Sequence, residues 1–307
     1  MSHPGQFVFH LLMLLLRKIF VSLQIQKQQT MMKKIFLCLL IASSMLVACN
    51  NKPKDFKTYH YEGQRCYLLT SDEEMWPGGD SLGVENSYSM EWPASGFLTA
   101  ECEAELLLRC FGDSTATSFS QAADRWLDHL WLYDEDSPAL HKHPVDTLGI
   151  REHYSYGHLA STVTRDSNLV TMLVTSDTYM AYAAHGLYMI DYVVMDLDTK
   201  KIVHLNDLVD TAQLGEVIVR AIEDLEVNKD TRDCMFEEYR TAGRVIVPDN
   251  FFIDSTRSVI NVVFQQYDIT PYACGIQTVS LPIFWLSKHI PLTPYCKELF
   301  GPGCSLD

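Results

Sequence analysis

Three groups of residues in this chain of 307 have types and spacings suited to chemistry: one cysteine behind an apolar run, two Gly-Asp-Ser blocks and a set of histidines. Lys33 and Lys34 precede an apolar run from Ile35 to Ile41, Ser43 and Ser44 follow it, and Leu46-Val47-Ala48-Cys49 closes the segment. That order is a secretory signal, too short and too cleanly ended for a spanning helix. A thiol at its last position is what lipobox chemistry requires, because a thioether to diacylglycerol forms there before cleavage. Cys49 is therefore the expected lipid-attachment residue. Upstream, the run from Phe7 to Leu16 is interrupted by Arg17 and Lys18, and Met31 and Met32 stand just before the basic pair. The natural start is expected at Met31 or Met32, and residues 1–48 are set aside as leader and signal peptide.

Gly79-Asp80-Ser81-Leu82 and Phe111-Gly112-Asp113-Ser114 look like the opening block of the GDSL esterases, and the second follows what reads as an apolar strand. That chemistry needs a histidine three residues after an aspartate, late in the chain. None of the eleven histidines has one, and the Gly-x-Asn-Asp block of the oxyanion hole is missing too. No catalytic residue is assigned on this pattern. His141 and His143, with His153 and His158 nearby, would face one side of a strand, as a metal pair does. Pro144 and the polar surroundings read instead as loop, and neither H-x-x-x-H nor C-x-x-C occurs. No metal and no cofactor are expected.

The leader carries five basic and no acidic residues, so the totals of 24 basic and 39 acidic become 19 and 39, and the net charge moves from −15 to −20. Such a surface repels phosphate backbones, and nucleic acid is excluded as an expected partner. A basic protein is permitted. Seven cysteines follow Cys49: Cys66, Cys102, Cys110, Cys234, Cys274, Cys296 and Cys304. The number is odd, so at least one is unpaired within the chain. Cys296 with Cys304 and Cys66 with Cys102 are candidate bridges, although spacing does not fix connectivity.

These groups must be held by elements that the residue pattern outlines. Residues 49–58 read as a polar tether. From Tyr59 to Arg109 short apolar runs broken by Gly and Pro read as strands, with Glu105 to Cys110 among them, and a helix follows through Phe119, Ala122, Trp126 and Leu130. Asp134 to Pro144 reads as a loop and a domain boundary. Beyond it, Asp166-Ser167-Asn168 and Asp198-Thr199-Lys200 each lie between apolar runs as hairpin turns do. Leu214, Val217, Ile218, Ala221, Ile222 and Leu225 mark the clearest helix, capped by Asp210 or Thr211, with Gly215 a small cost. Late strands are expected over Arg257 to Tyr267 and Gln277 to Trp285, with a short helix opened by Pro294. The sum is α+β: antiparallel sheets with a few packed helices, in two subdomains, residues 59–145 and 146–307.

From about Leu159 to Phe300 the chain resembles the C-terminal domain of unknown function shared by RsiV-type anti-sigma factors and PdaC-type peptidoglycan deacetylases. Three blocks carry the resemblance: Tyr179-Met180-Ala181-Tyr182-Ala183-Ala184-His185-Gly186; Asp196 to Lys200 with Leu205-Asn206-Asp207-Leu208; and Phe264-Gln265-Gln266-Tyr267-Asp268-Ile269-Thr270-Pro271-Tyr272-Ala273-Cys274-Gly275. Residues 60 to 145 resemble the smaller domain that precedes it, through Tyr88 to Pro93 and the helix near Trp126. The first block departs from the family in having Ala183 and Ala184 where two glycines are usual. What the resemblance implies is a binding module, since in the anti-sigma proteins this domain engages lysozyme, a strongly basic protein.

The expected function is thus that of a non-enzymatic envelope lipoprotein, tethered to a membrane through lipid on Cys49 and anchored in the outer membrane, that binds a protein or cell-wall glycan. Its candidate binding residues are Tyr179, His185, Gly186, Tyr267, Asp268, Tyr272 and Gly275, with the bend from Tyr267 to Gly275 expected beside the His185–Gly186 loop. The alternative is an enzyme or accessory factor acting on peptidoglycan, with His185 as base and Asp196, Asp198 or Asp207 nearby.

Overall fold

Alternation of buried and exposed positions builds the main sheet in the computed structural model, which describes residues 56–71, 81–129, 140–148 and 154–301. Cys49, the tether up to residue 55, the Gly79-Asp80 pair, His153 and Cys304 lie outside the described residues. The strands are β1 (Thr58–Ser71), β2 (Ser81–Pro93), β3 (Leu140–Val145), β4 (Tyr154–Asp166), β5 (Leu169–Tyr179), β6 (Leu187–Asp196) and β7 (Lys201–Val203). They pair in the order β3-β1-β2-β4-β5-β6-β7. All neighbours are antiparallel except β2 and β4, which run parallel from Gly83↔Tyr154 to Met90↔Ser161. A parallel pair needs a crossover, and helices α1 (Ala100–Phe111) and α2 (Phe119–Asp128) are on it.

Glu105 to Cys110 is helix, not strand. Leu106, Leu107 and Leu108 form a continuous apolar run that imitates a buried strand, but Thr99 accepts from the Cys102 N–H as N-cap and Gly112 closes the helix at φ 70°. The second Gly-Asp-Ser block is therefore a helix end and not a strand end. Residues 140–144, the end of the stretch from Asp134 to Pro144 read as loop, belong to strand β3, which pairs with β1 from Cys66↔Val145 to Ser71↔Leu140.

Both hairpin turns are where the sequence places them, with Ser167 at φ 56° and Lys200 at φ 57°. Helix α4 (Leu214–Asp224) is present, but its N-cap position is Gln213, and Asp210 instead accepts from the Ala212 N–H in the preceding turn. Gly215 has a stronger reason than tolerance: a Cβ there would lie 2.2 Å from the Val245 carbonyl oxygen. Short helices α3 (Leu205–Leu208), α5 (Lys229–Cys234) and α6 (Glu237–Ala242) flank α4 in sequence. A second antiparallel sheet, β8 (Phe251–Ile253), β9 (Val259–Phe264) and β10 (Gln277–Pro282), pairs in the order β10-β9-β8. Helices α7 (Ile283–Leu286) and α8 (Pro294–Phe300) follow, the latter capped by Thr293. The architecture is α+β: ten strands in two mostly antiparallel sheets and eight α-helices among the described residues.

The main sheet has a core on each face, because successive residues of a strand point opposite ways. Val193 and Met195 of β6 join Met90, Leu106, Leu107 and Trp126 under α1 and α2. Val194, between them, joins Ile218, Ile222, Phe251, Val262 and Leu281, the core shared by α4 and the small sheet. Each fully buried aliphatic side chain contributes about 1.5–3 kcal/mol.

Of the two candidate bridges, Cys66–Cys102 is not formed, both residues being buried and not bridged to each other, and Cys296–Cys304 falls outside the described residues. Among those residues a disulfide that spacing did not suggest joins Cys234 to Cys274, with Cα atoms 6.3 Å apart. Cys66 lies on β1 and Cys102 on α1, each buried in its own element's packing.

Candidate binding surface

Two segments far apart in sequence meet at the end of the β5–β6 hairpin. The first is the loop of residues 180–186. Its close return is permitted by Gly186, where a Cβ would lie 2.9 Å from the Thr178 carbonyl oxygen. The second is the bend after β9. There Asp268 accepts from the Gln265 N–H at 2.7 Å and the Tyr267 N–H donates to the Thr270 carbonyl at 3.2 Å. Pro271 then leads into a 3-10 turn over Tyr272–Cys274, and Gly275 leaves it at φ 71°, ψ −164°. The disulfide from Cys274 ties that turn to α5.

The Tyr272 ring stacks on His185 with centroids 3.8 Å apart, and Tyr267 lies 5.8 Å from Tyr272. Tyr272 Oη donates to the Gly186 carbonyl at 3.1 Å. His185 Nδ1 is 2.9 Å from the same oxygen, which can only accept, so the proton is on Nδ1. The expected neighbourhood of the two blocks is thus a direct contact. Tyr179 is one step away, stacked on Tyr156 across the β4–β5 pairing. Around this corner Met180, Tyr182, Leu187, Tyr188, Met189 and Tyr267 are each between 41% and 56% exposed.

Part of the corner is structural. The outer edge of β6 meets side chains where no strand pairs with it: Asn250 bonds the Tyr192 N–H and Ile190 carbonyl, and Gln265 bonds the Ile190 N–H. Gly186, Ile190 and Tyr192 are at even spacing, so all three turn backbone groups to that edge. Tyr272 Oη is one more rung of this ladder. Tyr267 is different. It and Tyr182 hold φ at 71° and 69°, a left-handed conformation that a bulky side chain adopts at a penalty of roughly 1–2 kcal/mol. Among the described residues the other non-glycine positive-φ residues are Ser167, Lys200 and Arg257. Strain of this kind clusters where a side chain must be presented.

A second cluster, invisible in the sequence, joins α1 to the later half of the chain. Arg109 donates to Asp191 at 3.0 and 3.3 Å and to the carbonyls of Tyr192 and Asp249. Asp249 accepts from the Leu205 N–H and lies 2.6 Å from His204 Nδ1, while His204 Nε2 is 3.4 Å from Glu105. Burial pushes the Asp191 carboxyl up against the pull of Arg109. Burial opposes protonation of His204, but the Asp249 hydrogen bond and the charges of Asp249, Glu105 and Asp207 outweigh it and raise its pKa. The partners lie 45 and 82 residues apart, and no motif marks them.

The remaining candidates are not brought to this corner. Asp196 is buried and accepts from Tyr295 Oη, Asp198 accepts from Asn168, and Asp207 accepts from the His204 N–H. Among the described residues none of these carboxylates contacts His185. Asp113 caps the Thr115 and Ala116 N–H groups, and Arg125 with those bonds holds its carboxyl down at about 2. His141 and His143 are on β3 with ring centroids 6.5 Å apart, His143 is bonded to Thr70, and His158 to Ser87. No group of three metal-capable side chains occurs among the described residues. Among them, too, no helix is long and apolar enough to cross a membrane.

Residues 206–283 match the family described as "Protein of unknown function (DUF3298)". That span holds the Tyr267–Gly275 bend but not His185. No curated protein matches the chain. Among solved structures, a DUF3298 family member from Bacteroides fragilis is similar at a TM-score of 0.52 and 17% identity, over 80% of this chain and 95% of that one. A DUF3298 family protein from Pseudomonas aeruginosa aligns at a TM-score of 0.46 and 14% identity, over 80% and 97%. At these identities the first likeness is one of fold. The chain therefore carries a DUF3298 domain at residues 206–283 on a fold similar to that of a solved DUF3298 family member.

Proposed function

We propose that this chain is an exported lipoprotein, lipidated at Cys49, whose aromatic corner binds a partner without transforming it. The observation that carries the reading is the corner itself: exposed Tyr267 and Tyr182 in strained backbone beside the His185–Tyr272 stack. Aromatic side chains on rigid turns offer contact area at low entropic cost. The resemblance of the same two blocks to RsiV/PdaC-type domains suggests the partner class, a lysozyme-like basic protein or the cell-wall glycan. A net charge of −20 after the leader favours the former and makes association weaken with salt. The alternative, an enzyme acting on peptidoglycan with His185 as base, has less support, because the ring's contacts are Tyr272 and the Gly186 carbonyl.

Two measurements test this. Metabolic labelling with a fatty-acid probe should mark the chain and be lost in Cys49→Ala; undiminished labelling sinks the anchor. The full chain in detergent should bind immobilised lysozyme or purified peptidoglycan saturably. Binding to neither overturns the reading.

A further inference from the structure

Packing does not explain how one turn of the aromatic corner is held. The 3-10 turn over Tyr272–Cys274 buries none of its residues, and Pro271 before it and Ala273 within it are exposed. Yet Tyr272 stacks on His185 and donates to the Gly186 carbonyl. The chain is anchored upstream by Ile269, which is buried in the core below α4 and whose carbonyl accepts from the Phe236 N–H at 3.0 Å. Downstream, Gln277 of β10 accepts from Thr231 and donates to the Cys274 and Gly275 carbonyls, which secures the exit of the turn. The turn itself is fastened to the end of α5 by the Cys234–Cys274 disulfide.

Cys234 and Cys274 are both only partly buried, so a thiol in solution reaches the bridge, whereas Cys66, Cys102 and Cys110 are buried. A small dithiol reduces such a bridge by thiolate attack on one sulfur, which breaks the S–S bond and forms a mixed disulfide. The second thiolate of the reductant then displaces the protein sulfur. Two electrons and two protons pass to the protein, leaving two thiols and a cyclic disulfide of the reductant. A cross-link acts mainly by limiting open conformations, and this applies to the opening of one turn as it does to the whole fold. Tyr267, at φ 71°, is strained in the closed bend, which favours opening once the cross-link is gone.

We infer that the Cys234–Cys274 bridge is a redox switch for the aromatic corner. Oxidised, it holds Tyr272 against His185 and Gly186. Reduced by a dithiol, it releases the turn and with it the ring stack, while both cores stay packed, since neither cysteine belongs to them. The further consequence, that reduction weakens partner binding, rests on the reading of the corner as a binding surface.

The test uses the full chain in detergent, with and without dithiothreitol, beside the Cys234→Ser, Cys274→Ser double variant. The first readout needs no partner. In the oxidised chain the Tyr272 ring, 3.8 Å from His185, should shift the His185 ring-proton resonances upfield, and Tyr272→Leu identifies that shift. Reduction should remove most of it and speed hydrogen exchange at the Gly275 amide, which donates to the Tyr272 carbonyl, by about tenfold or more. The Val193 amide, within the β5–β6 pairing, should exchange as before. The double variant should match the reduced chain whether or not dithiothreitol is present. The second readout is affinity for lysozyme and for peptidoglycan, which should fall by about tenfold or more on reduction and return on reoxidation. Should the double variant fail to fold, reduction and reoxidation of the wild type decide. An oxidised chain that binds neither partner overturns the binding reading, and the His185 shift then decides the switch by itself. A His185 shift that survives complete reduction, Val193 protection lost in parallel, or a double variant that still responds to dithiothreitol overturns the proposal. So does affinity that is unchanged when the shift is lost.

Discussion

The aromatic corner and the Arg109 junction both tie distant stretches of chain together, by opposite means. At the corner, residues 86 apart in sequence meet through ring stacking and a neutral hydrogen bond. At the junction, residues 82 and 45 apart meet through carboxylates, a guanidinium and an imidazole. The junction is mostly shielded: the Arg109 side chain is 15% exposed and Asp191 31%. The corner is open, with Tyr267 56% exposed. A shielded ion pair fixes geometry and is costly to break, whereas open aromatic rings leave surface available to something else. Stability should therefore reside at the junction and binding at the corner.

The largest effect should come from the junction. Arg109→Met removes the only described cation bonded to Asp191 and leaves that carboxylate in a poorly solvated place. Urea unfolding should show a loss of about 3 kcal/mol, partly recovered by adding Asp191→Asn. A loss below about 1 kcal/mol would mean that water already screens the pair and would remove the contrast. The corner should yield less. Tyr272→Phe keeps the stack on His185 but loses the bond to the Gly186 carbonyl, and should cost about 1 kcal/mol by the same assay.

Smaller again is a pH effect. His204 has a folded pKa above its ordinary 6.5. A raised pKa means that the folded state holds the proton more tightly, so the stability it confers is fully present below pH 6.5. It is lost as pH rises through the folded value. His204→Gln should flatten the fall of thermal midpoint over that window. The same fall in both proteins would place the titrating group elsewhere. The corner variants should leave this slope alone, because none of their contacts involves Asp249, Glu105 or Asp207.

Elements with local signals were legible in the sequence. The turns at Ser167 and Lys200, the helix from Leu214 and the Pro294 helix each follow from residues within a few positions of one another. Leu106-Leu107-Leu108 misled because an unbroken apolar run has no period, and the informative residues were its caps, Thr99 and Gly112. Strand β3 was hidden by Pro144, which is tolerated because β3 is an edge strand. The Cys234–Cys274 bridge, the parallel β2–β4 pairing and the Arg109 junction depend on partners that only the completed fold brings together. The corner was legible for a different reason. Tyr, Gly and Pro at close spacing on two blocks mark rigid turns, and such turns recur where chain segments meet.

Tyr267→Gly separates structure from function at that corner with the least disturbance. Glycine relieves the left-handed conformation at φ 71° while removing the most exposed ring of the corner. The measurement is the affinity of the full chain for lysozyme and for peptidoglycan, beside its thermal midpoint, for wild type and Tyr267→Gly. A binding surface predicts a midpoint that is unchanged or higher, by up to about 1 kcal/mol of stability, with affinity weakened by about tenfold or more. A lower midpoint with affinity intact would show that Tyr267 holds the bend together, and would contradict the account.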